Sequence, residues 1–93
     1  MILSFADKET EKIYHQQFSS QLPQDIQKMA LRKLMLIDAA MGLDDLRIPP
    51  GNRLEKLQGS RTGQYSIRIN NQFRICFIPR NSGFAEVTIV DYH

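Results

Sequence analysis

Two stretches of the chain alternate apolar with polar residues, and only three residues separate them. The apolar positions are Tyr65, Ile67 and Ile69 in the first stretch and Phe73, Ile75 and Phe77 in the second. Because the side chains of a β-strand alternate between its two faces, each stretch is typical of a strand with one buried face. Bringing both apolar sets to the same face requires a three-residue loop at 70–72, with Ile67 opposite Ile75. The pattern therefore predicts an antiparallel hairpin.

The same register sets Arg68 directly opposite Arg74 on the other face of the hairpin. Like charges that face each other across two strands destabilise the pair by up to about 1 kcal/mol. Such a pair usually has either an anion between the two side chains or carboxylates close by. We expect Asp91 and Glu86, on a later strand, to be those carboxylates if the pair is structural. A two-arginine phosphate clamp is the functional interpretation, and both stay open at this point.

The first half of the chain has the spacing of helices. Asp7 can cap a helix that extends to about Phe18, because its carboxylate accepts hydrogen bonds from the first unpaired amides. Pro23 suits the first turn of a second helix, and Gly42 is expected to end it. The apolar stripe of this second helix recurs at three- and four-residue steps and is predicted to be core: Ile26, Met29, Ala30, Leu34, Ile37 and Met41.

Short strands are also expected outside the hairpin. They cover residues 2–5 and 84–91, and residues 53–57 can form a further short strand in addition to the order given below. The order of elements predicts an α+β fold, with an N-terminal short strand and two helices packed on a curved antiparallel sheet (β-α-α-β-β-β). A chain of 93 residues is expected to form a single domain over residues 1–93.

Basic residues are concentrated in the second half of the chain. Residues 1–46 carry five basic and seven acidic side chains, whereas residues 47–93 carry seven basic and three acidic ones. Six of the seven basic residues in the second half are arginines, whose planar guanidinium groups suit bidentate binding of phosphate. The second half is therefore a plausible nucleic-acid surface, although solvated surface arginines explain the charge equally well.

The composition argues against a metal site and a membrane segment. Cys76 is the single cysteine, so the chain can form neither an internal disulfide bond nor a cysteine-rich zinc site, and this residue is expected to pack in the interior. His15 and His93 stand at opposite ends of the chain, and neither a metal nor a cofactor is expected. The apolar run at 34–43 contains Asp38 and is shorter than the roughly 20 residues that span a bilayer. We expect a cytoplasmic protein.

The second half also carries four linked motifs. They are GNRLEKL at 51–57, GxRxGQYSIRIN at 59–70, QFRICF at 72–77 and VDYH at 90–93. With these motifs the chain resembles the HigB toxins of the RelE/ParE superfamily of bacterial toxin–antitoxin systems. The resemblance is closest to the subgroup whose motif runs through PPGNRLE and which ends in DYH, and it covers essentially the whole chain.

The resemblance implies a RelE-like fold and a toxin that cleaves mRNA. Such a toxin is a ribosome-dependent endoribonuclease that enters the decoding site and cuts mRNA during translation. It is inhibited by a HigA-type helix-turn-helix antitoxin, and the pair binds its own operator DNA. The implied partners are therefore the antitoxin, the ribosome with its mRNA, and operator DNA through the toxin–antitoxin complex.

The resemblance also assigns residues. Those in or beside the active site are Arg74, Asp91, Tyr92 and His93, and Arg61 and Arg68 match basic positions of the RNA-facing surface. Arg53, Lys56 and Gln58 are expected to bind RNA as well. The chain departs from the family at two positions, because Glu55 and Gln58 stand where other members have histidine and lysine. Since the amide of Gln58 cannot accept a proton at neutral pH, either Lys56 or another residue is expected to take that role, or cleavage is expected to be slower.

The chemistry of RNA cleavage constrains these roles. Attack by the RNA's own 2′-hydroxyl needs removal of its proton, a proton for the leaving 5′-oxygen, and stabilisation of charge on the phosphate. His93 is the expected proton shuttle, with Asp91 on the same strand face. Arg74 and Arg68 fit the stabilisation of phosphate charge. Tyr92 is expected on the opposite strand face from Asp91, where it stacks on a base or contacts the phosphate.

Two other functions remain open from the residues alone. A ParE-like toxin inhibits gyrase by protein contact and needs no terminal acid–base pair, so the DYH ending argues against it. A small RNA-binding module would use its arginines only to position phosphates. Such a module would be distinguished by salt-dependent RNA binding without a cleavage product.

The facing arginines lead to a first prediction. We expect Arg68→Ala to leave the free energy of unfolding unchanged or raised, because it removes repulsion with Arg74, and to reduce activity. Urea unfolding and an RNA-cleavage assay measure the two effects. A loss of about 2 kcal/mol in stability would instead indicate a structural ion-pair network around Arg68.

Overall fold

A computed structural model describes residues 1–92 and contains a four-stranded antiparallel sheet. The strands lie in the order β1-β2-β3-β4, so each is hydrogen-bonded to its neighbours in sequence. Their bounds are β1, Glu55–Lys56; β2, Tyr65–Arg68; β3, Phe73–Arg80; and β4, Gly83–Asp91. The strand expected at 53–57 is therefore shorter than predicted, whereas the two hairpin strands and the strand expected at 84–91 are present.

Two helices pack on one face of this sheet. Helix α1 is Lys8–Tyr14, and Asp7 caps it as predicted, because its carboxylate accepts a hydrogen bond of 3.0 Å from the backbone N–H of Thr10. The helix ends well before Phe18, since Gln16 has a left-handed backbone with φ of 62° that cannot continue it.

Helix α2, Gln24–Ala39, starts directly after Pro23, as predicted. It ends before Gly42, because the backbone at Ala40 is already extended. A short 3-10 turn, Leu43–Arg47, follows the helix. This turn buries Leu46, so packing of the connection, and not the glycine, decides where α2 stops.

The core lies between α2 and the sheet. Most of the predicted apolar stripe is buried there, but Met29 is 40% and Met41 is 95% exposed. Met41 lies beyond the end of α2, and Met29 lies one residue, or about 100° of helical rotation, from the buried Ala30. The α+β fold class is confirmed. The central buried residues are Ile26, Ala30, Leu34 and Ile37 of α2 with Ile67, Ile75 and Phe77 of the sheet.

The N-terminal residues cover the outer edge of β4. The strand expected at 2–5 is reduced to two isolated parallel bridges, Ile2 with Phe84 and Phe5 with Val87. The approach is close at Gly83, where an added Cβ would lie 2.2 Å from the carbonyl oxygen of Met1. Glycine is therefore required there for the N-terminus to lie along β4.

The turn before β1 is attached to α2 through Asn52, which is completely buried. Its Nδ2 donates to the carbonyl oxygens of Leu46 at 3.2 Å and Ile48 at 3.3 Å. Its Oδ1 accepts a hydrogen bond from Nζ of Lys33 on α2. The next residue, Arg53, has a left-handed backbone with φ of 46°, which redirects the chain into β1.

No helix within residues 1–92 is long and apolar enough to cross a membrane.

We expect Asn52→Ala to lower the free energy of unfolding by about 1–3 kcal/mol, because the buried contact with the carbonyl oxygen of Leu46 and the partly buried one with Ile48 are both lost. Urea unfolding followed by circular dichroism measures the loss. The exposed Asn81→Ala is the matched control and is expected to change stability by less than about 0.5 kcal/mol. Equal effects of the two substitutions would contradict an anchoring role for Asn52.

Candidate functional site

A cleft of about 380 Å³ opens on the face of the sheet opposite the apolar set. It is lined by the arginines Arg53, Arg68 and Arg74, by Glu55 and Tyr92, and by the hairpin-loop residues Asn70 and Asn71. Among the described residues of this lining, three guanidinium groups outnumber one carboxylate. The cleft is therefore suited to an anionic ligand.

The hairpin register brings two of these arginines together. Ile67 pairs with Ile75 and Arg68 with Arg74, as predicted. The three-residue loop is closed by Asn70, whose Oδ1 accepts hydrogen bonds from the backbone N–H groups of Gln72 at 2.8 Å and Phe73 at 2.7 Å. Because the core-facing residues alternate with the arginines, both guanidinium groups lie on the cleft side.

Arg74 is held by groups from three neighbouring segments. Its Nε–H donates to Oγ of Ser66 at 2.7 Å, and its Nη2 donates to the carbonyl oxygens of Arg53 at 2.5 Å and Ser66 at 3.3 Å. Its Nη1 lies 3.3 Å from Oε1 of Glu55, and its side chain is only 8% exposed. A buried charge with this many partners is oriented by the protein, so its position does not depend on a bound ligand.

The carboxylate beside Arg74 is not the one that the sequence predicted. Glu86 accepts a hydrogen bond of 3.1 Å from Ser4, at the other end of β4, and Asp91 accepts one of 3.1 Å from Nε2 of Gln72. Asp91 pairs with Phe73, one residue from Arg74, so strand alternation places it on the other face. Glu55 reaches Arg74 because β1 pairs with β2 at Ser66, the residue that also holds the guanidinium.

Arg68 and Arg53 are the more accessible cations of the cleft. Nη2 of Arg68 donates to Oδ1 of Asn71, and the side chain of Arg53 is exposed. Neither arginine belongs to an ion pair in the described part of the chain. Both are therefore available to a phosphate.

Tyr92 is the last described residue and closes one side of the cleft. Its backbone N–H donates to the carbonyl oxygen of Gln72 at 2.6 Å, and the guanidinium of Arg74 lies 5.8 Å from the centre of its ring. This distance allows a cation–π contact. The ring remains 45% exposed, so it is open to a further stacking partner.

The remaining predicted site residues lie outside this lining. Lys56 and Gln58 are exposed on β1 and in the turn that follows it, and Nη1 of Arg61 donates to Oε1 of Gln64 at 3.2 Å. Asp91 does not line the cleft either. His93 lies outside the described residues.

The thiol of Cys76 is completely buried under the same face of β3 as Arg74. Burial raises the pKa of Cys76, and the nearby charges of Arg61 and Arg74 oppose that effect. The cysteine therefore packs in the interior as a neutral thiol. No group of three metal-binding side chains comes together within residues 1–92.

Sequence reasoning missed the groups that orient the arginines. Ser66 occupies a polar position of an alternating strand, which does not distinguish it from a solvated serine. Its pairing with Glu55 depends on β1, a strand of only two residues. The sequence predicts the asparagines at 70 and 71 only as loop residues, whereas in the structure both line the cleft.

The same fold occurs in solved toxin structures. A chain of the YoeB–YefM complex from Staphylococcus aureus matches with a TM-score of 0.63 and 22% identity, covering 100% of this chain and 95% of that chain. A YoeB dimer from the same organism matches with a TM-score of 0.54 and 23% identity, covering 99% of this chain and 94% of that chain. The chain therefore has the fold of these YoeB structures.

Sequence comparison narrows this class to one family. The family described as the RelE-like toxin of type II toxin-antitoxin system HigB matches residues 3–93. Toxin HigB-1 of Vibrio cholerae is 46% identical over 94 residues, covering 100% of this chain and 98% of that protein. An uncharacterized protein of Haemophilus influenzae is 40% identical over 63 residues, covering 68% of this chain and 62% of that protein. The chain belongs to the HigB-like family of toxins of type II toxin–antitoxin systems.

The buried contacts of Arg74 lead to a prediction about stability. We expect Ser66→Ala to lower the free energy of unfolding by about 1–3 kcal/mol, because the buried Nε–H of Arg74 loses its acceptor. Urea unfolding measures the change. Ser60→Ala, at an exposed position, is the control, and a loss no larger than that of this control would contradict the role of Ser66.

Proposed function

We propose that this toxin is a ribosome-dependent endoribonuclease that inhibits translation by cleaving mRNA in the decoding site. The observation that supports the proposal is the cleft in which Arg74, already oriented by buried contacts, lies beside a carboxylate and an exposed tyrosine ring. Oriented donors stabilise developing charge without having to reorganise during the reaction. This arrangement suits the negatively charged transition state of RNA cleavage.

Glu55 is our candidate for the proton acceptor. It stands where other members of the family have histidine, and it is the carboxylate of the cleft lining within residues 1–92. Lys56, the alternative suggested by the sequence, does not line the cleft. In the proposed step, a carboxylate oxygen of Glu55 takes the proton of the 2′-hydroxyl while that oxygen attacks the phosphorus.

The other half of the reaction needs a proton for the leaving group. As the bond from phosphorus to the 5′-oxygen breaks, that oxygen takes a proton, and we propose His93 as the donor. The products are then a 2′,3′-cyclic phosphate and a 5′-hydroxyl end. Nη1 is the atom of Arg74 that faces Glu55, so it is the atom expected to meet the phosphate.

The remaining predicted residues take supporting roles in this proposal. The exposed ring of Tyr92 stacks on a base, because one such contact stabilises single-stranded RNA without reading its sequence. Arg53 and Arg68 hold neighbouring phosphates. Asp91 positions the hairpin loop through Gln72. Three residues outside the cleft contact the flanking RNA or the ribosome in this proposal: Lys56, Gln58 and Arg61.

The family also defines a class of partner. As a toxin of a type II toxin–antitoxin system, the protein has an antitoxin. We propose that this antitoxin is a HigA-type helix-turn-helix protein, that the complex binds its own operator DNA, and that the toxin acts in the cytoplasm as one domain over residues 1–93.

Primer extension on a defined mRNA during cell-free translation tests the proposed activity. We expect cuts at codons that require ribosomes and that disappear with His93→Ala. We expect Glu55→Gln to slow cleavage roughly 10²–10⁴-fold, the usual contribution of a positioned acid or base. Glu86→Gln, which changes an exposed carboxylate outside the cleft, is the matched control and should cleave at the wild-type rate.

Intact mRNA in the presence of folded wild-type protein would contradict the proposal. Salt-dependent RNA binding without product would then favour an RNA-binding module, and inhibition of gyrase would favour a ParE-like toxin. If free RNA were cut as fast as mRNA during translation, cleavage would not depend on the ribosome.

A further inference from the structure

Helix α2 exposes apolar side chains although its apolar stripe is already buried against the sheet. Met29 is 40%, Met35 is 57% and Leu36 is 38% exposed. A surface helix ordinarily presents polar residues to water on the side that does not face the core. Single exposed apolar residues are common, but neighbouring ones that line one groove indicate a surface that binds a partner.

These three residues share one groove of about 490 Å³. Its lining consists of one segment of the helix and one residue of the turn that follows it: Met29, Arg32, Lys33, Met35, Leu36 and Pro49. Met29 and Leu36 are seven residues apart, which is about two helical turns or roughly 10 Å. Methionine side chains adapt to the shape of a partner. A groove with this length and lining fits the apolar face of a short amphipathic helix.

The charges along this groove are positive. Arg32 is exposed, whereas the ammonium group of Lys33 is already bonded to Asn52. Among the described residues that line the groove there is no carboxylate. The ion pairs found between residues 1 and 92 include neither Arg32 nor Lys28, the exposed cation one turn earlier on α2. A partner that carries carboxylates beside its apolar residues therefore complements the groove.

A second copy of the chain fits this groove poorly. A two-fold dimer brings the same surface of both copies together. Arg32 and Lys33 of one copy would then face the same cations of the other, with no carboxylate from either described lining between them. The antitoxin has no such conflict, and the family of the chain establishes that the toxin has one.

We propose that the groove on helix α2 binds an acidic amphipathic helix of the antitoxin. Apolar side chains of that helix pack between Met29, Leu36 and Pro49, and a carboxylate beside them pairs with Arg32. The inference goes beyond the proposed cleavage of RNA and does not depend on it. Because the groove and the arginine cleft share no lining residue, substitutions in the groove leave the cleft residues in place.

Methionine oxidation tests the contact without any substitution. Dilute hydrogen peroxide converts accessible methionines to the sulfoxide, and mass spectrometry of peptides measures the rate at each position. The wild-type toxin is compared alone and in complex with the antitoxin of its own system. We expect the complex to slow oxidation of Met29 and Met35. Met41, which is 95% exposed and lies outside the groove lining, is the internal control and should keep its rate.

Calorimetric titration of the toxin with the purified antitoxin tests the same contact by affinity. We expect the double variant Met29→Ala/Leu36→Ala to raise Kd at least about tenfold, because truncation of central apolar anchors weakens interfaces by this order. Met41→Ala is the matched control and should keep the wild-type Kd. Thermal unfolding of each variant verifies that the titrated protein is folded.

A charge reversal separates the electrostatic part of the contact. We expect Arg32→Glu to raise Kd and to reduce the dependence of Kd on salt, because the variant opposes the carboxylates of the partner. Arg80→Glu reverses an exposed arginine at the end of β3, outside the groove, and should change neither quantity.

Unchanged oxidation of Met29 and Met35 in the complex would overturn the inference, as would a double variant that binds the antitoxin as tightly as Met41→Ala does. Sedimentation that shows a wild-type dimer lost in the double variant would assign the groove to a second copy and overturn it too. None of these outcomes depends on mRNA. Protection of the groove together with intact mRNA during translation would therefore keep the docking site and reject the endoribonuclease.

Discussion

The buried guanidinium of Arg74 is the interaction on which the site depends. A charge that is removed from water needs partners, and Arg74 takes them from three places: the side chain and carbonyl of Ser66, the carbonyl of Arg53, and the carboxylate of Glu55. These groups belong to β2, to the turn after Asn52 and to β1. The hydrogen bonds and the ion pair of this one arginine thus join a two-residue strand and an irregular turn to the central hairpin. The cleft is the space that remains beside them.

A second buried polar group extends this arrangement to the helices. Asn52 has its amide nitrogen bonded to two backbone carbonyls of the connection after α2 and its oxygen bonded to Lys33. Because an unsatisfied buried amide is costly, the turn has one favourable position relative to the helix. The turn that carries Arg53 into the cleft is therefore fixed to helix α2 as well as to the sheet.

The sequence was most informative where a repeating spacing of apolar residues determines the structure. Strand alternation predicted the pairing of Ile67 with Ile75 and of Arg68 with Arg74, because a shift of one residue would bury an arginine in the core. It was least informative about the ends of elements and about partners distant in sequence. The end of α1 is decided by one left-handed residue, Gln16, and the carboxylate beside Arg74 by the pairing of the very short β1. Neither of these two features produces a repeating pattern in the sequence.

By itself, the sequence determined the fold class, the hairpin register and the presence of two facing arginines, since all three follow from the spacing of apolar residues along single elements. Its motifs also indicated the toxin family. Only the tertiary structure decided that Arg74 is enclosed and Arg68 accessible, that Glu55 and not Asp91 meets the buried arginine, and that Asn52 is bonded to helix α2. These relations arise where a helix, a turn and a strand meet. The cost of leaving buried polar groups unpaired selects their geometry, and that cost depends on residues far apart in the chain.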